Sequence, residues 1–133
     1  MSRFITRPRL EAAIDTDDGK WILIQPLAYQ SDGAGTTFVV PPDFQTDLAS
    51  VPRLPFIYAT FAGHAVAAAV LHDWLYTARP VPREMADAVF REAAGVQGVS
   101  GWRAWAMWIG VRAGGGAYWR DQAASAPPDP TTF

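Results

Sequence analysis

The sequence contains no cysteine among its 133 residues. Disulfide bridges and thiolate metal sites are therefore excluded, and the rigidity of the fold must come from packing. Half of the residues are apolar, which is enough for a hydrophobic core in a chain of this length. We predict a single domain over residues 1–133, with an α+β fold.

The sequence also lacks a cluster of basic residues. Its 11 Lys and Arg residues are scattered, and the formal net charge is −2. Domains that bind nucleic acid usually concentrate positive charge on one face. Nucleic acid is therefore not an expected partner.

Long apolar runs are absent as well. The longest, at 65–71 and 104–111, are far shorter than the roughly 20 residues that a membrane-spanning helix needs. The first six residues lack the apolar core of a secretory signal peptide. We expect no membrane span, and synthesis in the cytoplasm without a signal peptide.

Residues 1–43 are predicted to be rich in β-structure. Branched and aromatic residues recur at 9–14, 21–29 and 36–40, and Asp- and Gly-containing turns separate these segments. Short turns between consecutive strands favour antiparallel pairing. We therefore predict a small antiparallel β meander in this part.

Residues 44–116 are predicted to form a loop followed by helices. An alanine-rich run predicts a first helix at 64–76, and a second is expected at 83–94. Pro80 and Pro82 separate the two helices. The connection between them is short, so the pair should pack as an antiparallel helix hairpin.

A third helix is predicted at 101–113. Trp102, Trp105 and Ile109 share one stripe of this helix, and we expect that stripe to face the core. The alternative is that the amphipathic indoles face an interface or a partner. Three consecutive glycines follow residue 113 and are expected to end the helix. Residues 120–133 should form a loose tail.

The candidate site begins on the first helix. His72 and Tyr76 lie one turn apart on the same face, whereas Asp73 points about 100° round the axis. The helix hairpin can bring Asp87 opposite His72, where a carboxylate would fix the imidazole tautomer and make a general-base dyad. The alternative is a surface pair between Arg83 and Asp87, one turn apart.

Asp73 and Asp47 offer two carboxylates from different parts of the chain. A helical carboxylate and a loop carboxylate beside backbone carbonyls are oxygen ligands that suit Ca²⁺. With a His72–Asp87 dyad, this cation would make a hydrolase site. Alternatively, Asp73 is an exposed helix acid and Asp47 is a turn residue.

The order of these motifs resembles the phospholipase A2 superfamily, in particular its small bacterial and fungal branch. The similar segments are Thr46-Asp47-Leu48, then His72-Asp73-x-x-Tyr76, then Arg83-x-x-x-Asp87, and finally the tryptophan-rich third helix up to Arg112. The resemblance implies that His72 is the base, that Asp87 orients it, and that Asp47, Asp73 and the Leu48 carbonyl hold calcium. Thr46, Tyr76 and Arg83 would support the site.

The whole chain also resembles a phage and prophage family catalogued as domain of unknown function 1353. That resemblance implies a viral setting and supplies no chemistry. One hypothesis is therefore a phage ester hydrolase that acts on phospholipid. A second is a virion or tail component, associated with other phage structural proteins, that uses the same residues as a buried polar network. A third is a phage factor that binds a host molecule.

Overall fold

The computed structural model describes residues 1–6, 10–12, 21–46 and 66–125. These residues form an antiparallel β region followed by three helices, so the α+β prediction is confirmed. The strands are β1 (Arg3–Phe4), β2 (Leu10–Ala12), β3 (Trp21–Leu23), β4 (Leu27–Ser31), β5 (Thr36–Val40) and β6 (Gln45–Thr46). The helices are α1 (Val66–Ala78), α2 (Arg83–Val96) and α3 (Gly101–Ser125).

The strands pair as two antiparallel sheets, in the orders β1-β4-β5 and β2-β3-β6. The predicted segment 21–29 is thus two strands in different sheets, because Pro26 lacks the N–H group that would continue one ladder. β4 and β5 form a hairpin in which Leu27 is opposite Val40 and Ser31 is opposite Thr36. Every second residue of β4 is buried, so one face of this sheet joins the core.

α1 and α2 form the predicted antiparallel hairpin. At one end, the Ala68 N–H donates to the side chain of Gln97, 2.9 Å away and one residue beyond the end of α2. At the other end, the side chains of Tyr76 and Arg83 meet. The buried faces of the two helices therefore lie against each other along their length.

The prediction that α3 ends near residue 113 is wrong, because the helix continues to Ser125. Gly115 is buried within it, and a Cβ atom at that position would lie only 2.6 Å from the Tyr76 hydroxyl. Glycine therefore lets α1 and α3 approach closely instead of ending the helix. Residues 120–125 are also helical, which corrects the start of the predicted tail, while 126–133 lie outside the described residues.

The predicted core stripe of α3 is also wrong. Trp102 is 63 % exposed, Trp105 50 % and Ile109 42 %. The opposite face, with Ala104, Met107 and Val111, is the one that packs against the core. Helical spacing identified a stripe correctly, but both faces of this helix are apolar, so spacing alone could not select the buried one.

The core lies between the first sheet and the three helices. It includes Leu27, Tyr29 and Val40 from the sheet, and Leu71, Leu75 and Phe90 from the helices. No helix in the described part of the chain is long and apolar enough to cross a membrane.

Candidate functional site

The predicted pairing of His72 with Asp87 is confirmed as a contact. His72 Nε2 lies 2.7 Å from Asp87 Oδ1, across the α1–α2 hairpin. Both side chains are 0 % exposed. The short connection between the helices forces adjacent packing, and the register of that packing places the carboxylate beside the imidazole.

Tyr76 joins the same carboxylate. One turn after His72, its hydroxyl donates to Asp87 Oδ1 at 2.6 Å. Burial, reinforced by the hydrogen bond to Asp87, raises the pKa of Tyr76 above its ordinary value. The phenol therefore stays protonated and acts as a permanent donor to Asp87.

The other carboxylate oxygen of Asp87 is held from α3. Arg112 Nη1 donates to Asp87 Oδ2 at 2.8 Å. The resemblance to the phospholipase A2 superfamily extends along the third helix to Arg112, but it implied no role for this residue. Its only sequence signal is a cation within a largely apolar helix, so its function could not be inferred before the helices were placed.

The alternative pair of Arg83 and Asp87 is present as a long ion pair, but not on a solvated face. Arg83 Nε is 3.9 Å from Asp87 Oδ2, and Asp87 is fully buried. The Arg83 guanidinium also donates to the Tyr76 hydroxyl at 3.2 Å and to the carbonyls of Val111 and Arg112 at 3.0 and 2.7 Å. Arg83 therefore attaches the start of α2 to the middle of α3.

The donors around Asp87 keep its carboxyl group ionised. Burial alone would raise the pKa of Asp87, but hydrogen bonds from His72, Tyr76 and Arg112 outweigh burial and lower it below its ordinary value. An ionised Asp87 only accepts hydrogen bonds, so His72 must carry its proton on Nε2 in this contact. In the neutral form of this imidazole, the other ring nitrogen, Nδ1, carries the lone pair.

His72 Nδ1 is buried and has no hydrogen-bond partner among the residues that the structure describes. The imidazole is packed between aromatic rings, with centroids 4.4 Å from Tyr76 and 4.7 Å from Phe90. Buried polar atoms without a partner are uncommon, and each leaves a desolvation cost of about 1–3 kcal/mol. The site therefore contains one acceptor that the surrounding protein does not use.

Asp73 points away from the dyad, as its position on α1 predicted. It accepts a hydrogen bond of 2.5 Å from the Thr46 hydroxyl, and both side chains are buried. The other predicted calcium ligands, Asp47 and Leu48, lie outside the described residues. Within the described part, no group of three His, Cys, Asp or Glu side chains is arranged to hold a metal.

The donors near Asp73 are compatible in kind with calcium. Asp73 supplies a carboxylate and Thr46 a hydroxyl oxygen, and hard cations such as Ca²⁺ select oxygen ligands. Thr46 immediately precedes Asp47 in the chain. The described residues thus supply one carboxylate of the predicted set.

A comparison with protein-family models matches residues 21–111 to the family described as "Protein of unknown function (DUF1353)". The chain belongs to this family. The matched segment includes every residue of the His72–Asp87 site except Arg112, which follows it directly. Searches of curated proteins and of solved structures give no match to this DUF1353 chain.

Proposed function

We propose that this protein is an ester hydrolase in which His72 is the general base and Asp87 orients it. The observation that supports the proposal is His72 Nδ1, a buried nitrogen without a hydrogen-bond partner in the described part of the chain. A network with a purely structural role gains nothing from that atom. A general base needs an unprotonated nitrogen aimed at its substrate water.

The reaction would begin with a water molecule hydrogen-bonded to His72 Nδ1. This nitrogen takes the water proton as the oxygen attacks the ester carbonyl carbon, and the imidazolium later returns the proton to the leaving alcohol. Asp87, at 2.7 Å from Nε2, stabilises the positive charge that forms on the ring. Tyr76 and Arg112 hold Asp87 in place by occupying its remaining acceptor positions.

Calcium is part of the proposal. Asp73, Asp47 and the Leu48 carbonyl would hold the ion. When bound, it would supply a positive charge that polarises the ester carbonyl. The order of motifs resembles that of the phospholipase A2 superfamily, so phospholipid is the substrate class that we propose.

A second candidate function is supported by burial. Because His72 and Asp87 are both 0 % exposed, the same contacts can act as a clamp between the three helices. In this case the protein would be a non-catalytic component of a phage particle, for example of its tail. A hydrogen-bonded His–Asp–Tyr network can fix a unique packing without taking part in chemistry.

Hydrolysis of phospholipid vesicles separates the two candidates. We expect the parent protein to release fatty acid in the presence of calcium, and His72→Gln to lose that release while keeping its fold. Glutamine retains an N–H group that can donate to Asp87, which limits the structural damage. Glu84→Gln, at a side chain that is 76 % exposed, is the matched control and should remain active.

The opposite result would be an inactive parent protein in which His72→Gln lowers only the melting temperature. Circular dichroism of each variant shows whether a loss of activity reflects unfolding. An inactive, well-folded parent in the presence of calcium and vesicles contradicts the hydrolase and favours the clamp.

Calcium binding can be tested without activity. A ligand that binds only the folded state raises the melting temperature by mass action. We expect calcium to raise it for the parent protein but not for the double variant Asp47→Asn with Asp73→Asn. Magnesium at equal concentration is the control for ionic strength. The absence of a calcium effect in the parent would leave both acids with a structural role.

A further inference from the structure

Three side chains of one sign meet on the C-terminal half of α3. Arg112, Gly116 and Arg120 follow one another at intervals of four residues and therefore share one face of the helix. Arg83 from α2 packs onto the same face and donates to the Val111 and Arg112 carbonyls. Two guanidinium groups, those of Arg83 and Arg120, thus lie beside Gly116.

The guanidinium groups of Arg83 and Arg120 converge above Gly116. A Cβ atom built on this glycine would lie 3.4 Å from Arg120 Nη1 and 3.6 Å from Arg83 Nη1. Two positively charged nitrogens therefore approach the same point, where glycine leaves space. Like charges that approach the same point repel each other, so the arrangement favours an anion between them.

The described acids near these arginines lie closest to Arg112. Asp87 Oδ2 is 2.8 Å from Arg112 Nη1 and 3.9 Å from Arg83 Nε, and Glu84 approaches Arg112 at 4.0 Å. Among the side chains that the structure describes, which do not include Asp121, no salt bridge to Arg120 is found. The hydrogen bonds recorded for Arg83 within the same part use Nε and Nη2, and none uses Nη1.

We propose that Arg83 and Arg120 bind a phosphate group seated over Gly116. Guanidinium groups match phosphate oxygens in both charge and geometry. A phosphate dianion also carries enough charge and enough oxygens to pair with two guanidinium groups that arrive from different helices. A carboxylate, with one charge and two oxygens in one plane, matches this arrangement less well.

This site is independent of the proposed hydrolase function. Arg112 binds the oxygen of Asp87 that does not contact His72, so the arginine cluster lies on the side of Asp87 away from His72 Nδ1. Arg120 is exposed and has no part in the dyad. A variant at Arg120 can therefore alter phosphate binding without changing the catalytic site.

Isothermal titration calorimetry of the full chain with inorganic phosphate, at constant ionic strength, tests the proposal. We expect Arg120→Gln to bind phosphate about tenfold more weakly than the parent, the loss expected for one charged hydrogen bond. Arg103→Gln is the matched control, because Arg103 is an exposed arginine of the same helix that packs over Trp102. Acetate should bind more weakly than phosphate to the parent.

Gly116→Ala provides a second test that does not remove charge. Alanine favours the helix, but its methyl group would occupy the space between the two guanidinium groups. We expect weaker phosphate binding with an intact helix. Gly95→Ala is the matched control, since a Cβ atom at Gly95 in α2 meets nothing within 4 Å.

Glycerol 3-phosphate distinguishes the source of the phosphate. Binding tighter than that of inorganic phosphate assigns the site to a phosphate ester, and equal binding assigns it to the phosphate group alone. A parent protein that binds no phosphate overturns the proposal. The same affinity in the parent, Arg120→Gln and Gly116→Ala also overturns it.

Discussion

Two carboxylates on α2 connect this helix to the rest of the molecule, and their partners differ in kind. Asp87 is surrounded by an imidazole, a phenol and a guanidinium group, from His72, Tyr76 and Arg112. Glu92 is surrounded by neutral donors from the β4–β5 hairpin. The first carboxylate joins the three helices, and the second joins the helices to the sheet.

The Glu92 cluster has a complete set of hydrogen bonds from the hairpin. Tyr29 and Ser31 donate to Glu92 Oε1 at 2.7 and 2.8 Å, and the Gly33 N–H donates to Oε2 at 2.9 Å. Burial alone would raise the pKa of Glu92, but these donors outweigh it and lower the pKa below its ordinary value. Burial and the Glu92 contact raise the pKa of Tyr29, so this phenol remains a donor.

The two clusters show how a structural carboxylate differs from one that can support chemistry. Glu92 accepts hydrogen bonds from two hydroxyl groups and one backbone N–H, and none of these donor groups carries a second nitrogen that could accept a proton. The imidazole at Asp87 necessarily has a second nitrogen, and within the described residues His72 Nδ1 has no partner. The proton transfer that we propose therefore depends on the Asp87 cluster, and the Glu92 cluster serves as the internal structural reference.

Truncation of the two carboxylates should give the largest difference in unfolding free energy between the two clusters. Asp87→Ala leaves the buried His72 and the half-buried Arg112 without their carboxylate, which costs about 3–5 kcal/mol of unfolding free energy. Glu92→Ala leaves only neutral donors without an acceptor, at about 1–3 kcal/mol. Urea unfolding measures both losses.

Glu84→Ala is the control for Asp87→Ala, because its side chain is 76 % exposed and its distant pair with Arg112 should contribute less than about 1 kcal/mol. Equal losses for Asp87→Ala and Glu92→Ala would remove the distinction between the two clusters.

Substitution of one glycine beside each cluster allows a second comparison, in which we expect intermediate losses of unfolding free energy. At Gly115, a Cβ atom would lie 2.6 Å from the Tyr76 hydroxyl, which Asp87 holds in place. We expect Gly115→Ala to destabilise the fold by about 1–3 kcal/mol through overpacking. At Gly33, a Cβ atom would lie 2.7 Å from Glu92 Oε2, the end of a flexible side chain that can move.

Gly33→Ala should therefore cost about as much as one hydrogen bond, roughly 0.5–1.5 kcal/mol. Thermal unfolding of both variants, with Gly95→Ala as the control, measures the difference. If Gly33→Ala proved the more damaging change, the Glu92 cluster would be the more rigid of the two.

The sequence predicted the elements of the Asp87 cluster better than it predicted their surroundings. The spacing of His72 and Tyr76 placed both on one helix face, and the short connection to α2 placed Asp87 opposite them. These inferences depend on contacts within one helix hairpin. The contribution of Arg112 could not be predicted, because it depends on how α3 crosses that hairpin.

The errors have the same origin. Consecutive glycines predict the end of a helix because their helix propensity is low. At Gly115 the close packing against Tyr76 outweighs that propensity, and the helix continues. Helical periodicity identified the Trp102 stripe but not which way it faces. Nothing in the sequence indicated the Glu92 cluster, since its donors lie about 60 residues away in a hairpin. Long-range packing is the information that local patterns lack.

The pH dependence of the unfolding free energy should give the smallest difference between the two clusters. The pKa values of Asp87 and Glu92 are both below their ordinary values in the folded protein. Each group therefore contributes stability that is fully present above its unfolded pKa, roughly 4, and is lost as the pH falls through its folded pKa. Urea unfolding between pH 7 and pH 3 should show a decline that begins near pH 4.

Glu92→Gln isolates one of the two contributions. At pH 7 the variant should be less stable than the parent, because the amide is a weaker acceptor than the carboxylate for Tyr29, Ser31 and Gly33. As Glu92 of the parent takes up its proton, the two stability curves should converge, whereas the curve of Glu84→Gln should stay parallel to that of the parent. A constant gap between Glu92→Gln and the parent down to pH 3 would mean that Glu92 acts through its shape rather than its charge, and that only the Asp87 cluster depends on an ionised acid.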